Sequence, residues 1–132
     1  MIPHFEFREY IRIIKAAAST EGGPSATDLE LLHILIEQHG WEGKLEVKGL
    51  CDPSPIFLVE ITPGELSEVT RRASIREAVL LAVTSGNMDK RRPHIVKLAQ
   101  KLMLDESFVA KSEDWSRRYL ELIREGRALF NE

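Results

Sequence analysis

The sequence predicts an all-α fold of about seven helices built around two similar helical hairpins. Three observations predict it. Apolar residues recur at three- and four-residue spacing through most of the chain, the period of a helix with one buried face. Helix-start signals, a short polar residue followed three positions later by an acidic one, open several of these runs. Finally, residues 11–41 align without a gap with residues 75–104 at an offset of 64, pairing Ile11 with Ile75, Arg12 with Arg76, Thr20 with Thr84, Gly22 with Gly86, Leu32 with Val96 and Ile34 with Leu98. Apolar residues face apolar ones and one glycine stays in register, as expected of a duplicated hairpin that buries equivalent faces.

Length and composition set the bounds. At 132 residues the chain has the size of one domain, read here as spanning 1–132, with repeat one at about 11–41, repeat two at about 75–104 and a last helix at about 113–130. An apolar fraction of 43% beside 30% charged residues describes a soluble globular chain without a membrane-length apolar run. The opening MIPHFEFREY lacks the basic and apolar regions of a secretory signal, so a cytoplasmic location is expected. Cys51 is the single cysteine, which excludes an internal disulfide and reads as an ordinary thiol. The net charge of -3 argues against a general polyanion binder, although a local basic patch remains open to such a role.

Taken in order, Phe7, Tyr10, Ile11, Ile14, Ala17 and Ala18 form one face of a first helix, with Pro3 tolerated in its first turn. Gly22-Gly23-Pro24 breaks it. Ser25 and Asp28 are an N-cap and its reciprocal partner, so a second helix is expected from about Ala26, burying Leu29, Leu32, Leu35 and Ile36, widened by Leu31 and Ile34 and closed by Gly40. The stretch 43–61 is ambiguous, with a short helix near 44–50 and an extended segment favoured over two strands. Thr62-Pro63-Gly64-Glu65 starts another helix through about Arg72, and Ser74 with Glu77 starts a further one. That run, IREAVLLAVTS, is apolar on nearly all sides and is expected at the centre of the core.

Gly86 ends it. The next helix carries Ile95, Val96, Leu98, Ala99, Leu102 and Met103 on its buried side, and Pro93 delays its regular part to Arg92 or Pro93. Asp105 then caps a short turn with Phe108 and Val109, and Ser112 starts the last helix, with Trp115, Tyr119, Leu122 and Ile123 as its stripe.

The segment EGGPSATDLELLHILIEQHGW resembles the first half of the tellurite-resistance TerB-like family, with Glu21-Gly22 at the acidic turn, Ser25 as cap, Asp28 three positions on, and then Leu29, Leu31, Leu32 and Leu35. The second copy departs from the pattern: Ser85-Gly86 stands at the turn, Asp89 keeps the cap, and Arg92 replaces the acidic residue. The resemblance implies the family's all-helical fold and a stress-associated binding or accessory role without enzymatic activity. It also implies a divalent-metal site, such as one for Ca2+, drawn here from Glu21, Asp28 and Asp89. A hard cation takes about six to eight oxygens, so three carboxylates would make a weak cage, and Ser25 with Asp28 can equally serve only as a cap.

Two further functions compete with that reading. Lys90, Arg91 and Arg92, with His94 and Lys97, lie at the start of a helix that follows another helix across a turn, where a helix-turn-helix protein presents its nucleic-acid contacts. The turn is long for that motif and the preceding helix is very apolar. Trp115, Tyr119 and Phe130 give the last helix more aromatic surface than a solvated end needs, which suits packing on the core, a protein partner or a homodimer. His33 and Glu37 share a helix face, but HExxH is absent, as are phosphate-loop and nucleophile-elbow motifs. No enzyme motif is present.

Overall fold

The computed structural model describes residues 2–18, 25–39 and 63–131. These carry five α-helices: α1 (Phe7–Ala17), α2 (Ala26–Gln38), α3 (Glu68–Thr84), α4 (Met88–Lys101) and α5 (Glu106–Ala128), with short 3-10 turns at His4–Glu6, Pro63–Glu65 and Leu129–Asn131. Among the described residues there is no strand. The expected helix or extended segment at 43–61, the Gly22-Gly23-Pro24 turn, Gly40 and Cys51 lie outside them.

Helix α3 is the central element and packs against α1, α2, α4 and α5. The reason is its composition: Ile75, Ala78, Val79, Leu80, Leu81, Ala82 and Val83 are all buried, so it presents apolar surface around most of its circumference. Phe7, Tyr10, Ile13, Ile14 and Ala17 of α1 cover one side of it, Leu32, Leu35 and Ile36 of α2 another, and Ile95, Leu98 and Ala99 of α4 a third. Each such aliphatic side chain contributes roughly 1.5–3 kcal/mol by leaving water. Ile34, expected to widen the α2 stripe, stays half exposed.

Several boundaries differ from the sequence reading. Helix α3 begins at Glu68 and runs unbroken through Ser74, so Ser74 with Glu77 is not a start signal. Ser67 caps the helix instead, accepting from the Thr70 N–H at 3.4 Å, while the Ser74 hydroxyl turns back to the Thr70 carbonyl at 2.6 Å. A capping pair inside a longer apolar run loses because continuing the helix buries more surface. Helix α5 likewise starts at Glu106 rather than near Ser112: Asp105 caps it through the Phe108 N–H at 3.0 Å, and Ser112 is buried inside it. The regular part of α4 starts at Met88, five residues before Pro93. Pro93 faces solvent and the carbonyl it leaves without an intrahelical donor, that of Asp89, belongs to an exposed residue, so the missing bond is cheap.

Helices α3 and α4 end in the same way. Gly86 has a φ of 78°, its N–H reaches the Val83 carbonyl at 3.2 Å, and the Asn87 N–H reaches Ala82 at 2.8 Å. This is a Schellman stop, which needs a left-handed residue. At the end of α4 the same pair of bonds, Met103 N–H to Gln100 and Leu104 N–H to Ala99, is made around Met103 at a φ of 60°. Met103, expected on the buried face of α4, therefore lies past the helix end, 64% exposed, and holds the strained place without being a glycine.

Candidate functional site

The first group of interest grows out of the α2 cap. Ser25 accepts from the Asp28 N–H, and the Asp28 carboxylate accepts in return from the Ser25 N–H at 2.8 Å and its hydroxyl at 3.0 Å. Capping alone leaves such a carboxylate at the surface, but Asp28 is only 1% exposed. The reason is Arg91, also 1% exposed, whose two terminal nitrogens reach Asp28 Oδ1 at 3.3 Å and Oδ2 at 3.0 Å. One end-on fork thus joins the start of α2 to the first turns of α4, and the second pair of helices is locked to the first.

Of the three residues proposed for a metal, Glu21 lies outside the described residues. Asp28 is consumed by Ser25 and Arg91, and Asp89 is exposed and paired with Arg92 at 2.9 Å. The two described carboxylates face different cations, and no cluster of three or more metal-ligating side chains occurs among the described residues. A guanidinium occupies the place where a cation would have to meet Asp28, which removes it as a ligand in this arrangement.

The basic run is divided in the same way. Arg91 points into the core, while Arg92 turns outward and is held by Glu113 of α5 at 2.8 Å and by Asp89. Arg117 grips the other side of Glu113 at 2.8 Å. Hydrogen bonds donated to Glu113 and then to Asp89 raise the Arg92 pKa further. Burial pushes the Glu113 carboxyl up, but the bonds from Arg92 and Arg117 outweigh it and hold the pKa below the usual range. Lys90 and Lys97 remain exposed, and His94 is half-buried with its Nε2 2.7 Å from the Ala16 carbonyl of α1. Two of the four nominated cations are therefore structural.

A second buried polar group went unread in the sequence. Glu77 of α3 is fully buried and its Oε1 accepts from the Tyr10 hydroxyl at 3.1 Å and from His39 Nε2, while Oε2 accepts from Arg76 Nε at 3.2 Å. Phe7, Tyr10 and His39 stack edge to face around it, with ring centres 5.5–6.4 Å apart. Burial first, then the Glu77 charge, pushes the Tyr10 phenol far up, so it stays protonated and donates to Glu77. Beside this group, His39, Arg72, Arg76 and Phe108 border an open cavity of about 320 Å³. The only sequence signal was Glu77 itself, an acid at a core position of the most apolar helix.

The third surface is α5. Phe108, Val109, Ser112, Trp115, Ser116, Tyr119, Leu122, Ile123, Gly126, Leu129 and Phe130 repeat at three- and four-residue spacing along one stripe. The early part packs on the core: Val109, Ser112 and Ser116 are buried, and Trp115, stacked on Tyr119 at 5.4 Å, lies under the Arg76 guanidinium. The later part does not. Leu122, Leu129 and Phe130 are 66%, 70% and 90% exposed. The nominated pair Trp115 and Tyr119 thus marks the place where the stripe leaves the core. Among the described residues no helix is long and apolar enough to cross a membrane.

Compared with family models, curated proteins and solved structures, the chain matches none of them.

Proposed function

We propose that this chain is a non-enzymatic, TerB-like helical accessory module that works by binding protein surface, first of all a second copy of itself, through residues 117–131. The TerB-like reading rests on the sequence resemblance. Its support in the fold is that α1 and α2 stand at the offset of 64 from parts of α3 and α4. The observation that carries the binding function is the apolar stripe of α5, which continues for about three turns beyond the last residue it buries, Ser116. A side chain added at Gly126 would meet nothing within 4 Å among the described residues, so the far part of the stripe is open there.

Charge selects the occupant. Arg118 and Glu125 lie two turns apart on the same flank of the stripe. A second α5 running antiparallel and crossing near Leu122 sets each Arg118 against the other copy's Glu125, twice by symmetry. Arg118 now makes only an exposed pair with Asp114 at 3.1 Å, which costs little to exchange. The helix-turn-helix reading has less support, since Arg91 is buried and Arg92 is held by Glu113.

Size-exclusion chromatography with light scattering tests this. A short apolar stripe with a few flanking charges predicts a weak dimer, with a dissociation constant on the order of 10–100 µM. Leu122→Glu should give a monomer with unchanged helicity, because Leu122 supports nothing in the core. Arg118→Glu and Glu125→Arg should each weaken the dimer and together restore it. A strict monomer at high micromolar concentration would end the self-association reading.

A further inference from the structure

We infer that the cavity between α2, α3 and α5 is a binding site for a small organic carboxylate with a flat apolar body. His39 at the end of α2, Val69, Arg72, Ala73 and Arg76 along one face of α3, and Phe108 at the start of α5 line it. Its volume of about 320 Å³ is at the small end of the range for small-molecule pockets.

The ligand class follows from which hydrogen-bond donors are already used. The Arg76 guanidinium lies 4.8 Å from the Trp115 ring centre and is anchored by its Nε to Glu77 at 3.2 Å. That leaves the two terminal nitrogens, the end-on fork that fits a carboxylate bidentately, with no acceptor among the described residues. Arg72 lies over Phe108 at 5.5 Å and spends its Nε and one terminal nitrogen on Glu68, at 2.9 and 2.8 Å, which leaves the other. Stacking on the rings holds both guanidinium planes, so little side-chain freedom is lost when an anion arrives.

Glu77 is the support beneath. Tyr10, His39 and Arg76 all donate to it, so its charge is spent below the cavity floor and does not compete for the free fork. Because a carboxylate only accepts, His39 Nε2 carries a proton and the ring is oriented by that bond. Val69, Ala73 and Phe108 supply the wall for an apolar body, and a bare phosphate would leave that wall wet. This site is independent of the α5 self-association surface and is read by a different measurement.

Phenylacetate is a suitable probe, with neutral phenylacetamide and inorganic phosphate as controls, followed by amide and arginine side-chain NMR on the full chain. The expected result is saturable, millimolar binding of phenylacetate with shifts at His39, Arg72, Arg76 and Phe108, and binding at least about tenfold weaker for the amide and for phosphate. Arg76→Gln should lower the affinity by a similar factor. If that variant proves unstable through Glu77, Val69→Trp fills the cavity from an exposed position and should abolish the shifts while the spectrum stays folded. Equal binding of acid and amide, shifts that survive Val69→Trp, or no saturable change with phenylacetate would each overturn the assignment.

Discussion

Replacing Asp28 by Asn keeps the size of the side chain and most of its ability to cap α2, but it removes the charge that Arg91 was buried to meet. The amide carbonyl can still accept from the Ser25 N–H, now 2.8 Å from Oδ2, while the NH2 group must face one terminal nitrogen of Arg91, donor against donor. Arg91 cannot escape to water, being 1% exposed. Removing one partner of a buried pair costs about 3–5 kcal/mol, an upper figure here because Arg91 keeps other interactions. For a 132-residue domain this is a large part of a total stability of about 5–15 kcal/mol. It corresponds to a fall in Tm of roughly 10–18 °C. Urea unfolding gives the free energy directly, at an unchanged m-value if the native fold persists. The double variant Asp28→Leu, Arg91→Met replaces the pair with apolar volume. It should recover much of the loss, short of what the other interactions of Arg91 contribute. A coupling of about 2 kcal/mol or more in the double-mutant cycle is expected. A loss below about 1 kcal/mol for Asp28→Asn, or simple additivity, would refute the reasoning that this fork joins the two helix pairs.

Met103→Gly should stabilise the protein by about 0.5–1 kcal/mol in the same urea assay, because the residue sits at a φ of 60° and is 64% exposed, so strain is relieved and little packing is lost. Glu113→Gln should flatten the acid side of the stability profile. The native pKa of Glu113 is held below its ordinary value of 4.5, so its stabilisation is complete above that value and fades as pH falls through the lowered native value; an unchanged acid limb in the variant would count against the Arg92–Glu113–Arg117 cluster.

The parts of this fold that could be read from sequence are those fixed within a few residues of themselves. The Ser25–Asp28 capping box, the Gly86 stop and the apolar surface of 75–83 depend on neighbours in the chain, and all three stand where periodicity and cap chemistry put them. The errors came where a local signal competed with burial. Ser74 and Ser112 are good helix starters in isolation, yet each lies inside a helix because continuing the apolar face of α3 or α5 outweighs one cap bond of about 1 kcal/mol. Met103 could not be foreseen as a helix stop, since a left-handed methionine is chosen by the geometry on both sides of it and not by its own preference.

The candidate sites were harder to read because their meaning depends on partners far along the chain. Asp28 and Arg91 are 63 residues apart, and each alone carries a familiar surface reading, an acid near a turn and a base at a helix start. Arg91 and Arg92 form one basic run in the sequence, but adjacent residues on a helix point about 100° apart, so one of them must face a different environment from the other. Packing of α4 against α1 and α3 leaves Arg91 facing inward toward the start of α2, where Asp28, already fixed by its cap, meets it. Arg92 turns toward α5, where Glu113 meets it. Glu77 follows the same logic from the other side. An acid in the middle of the most apolar helix must be neutralised by donors brought in from α1 and the end of α2, and Tyr10 and His39 are those donors. Where a buried charge breaks an otherwise apolar pattern, the helices on either side of it are being tied together. By that reasoning Arg76, the one partner of Glu77 with its terminal nitrogens still open, is where the tie also becomes accessible to a ligand.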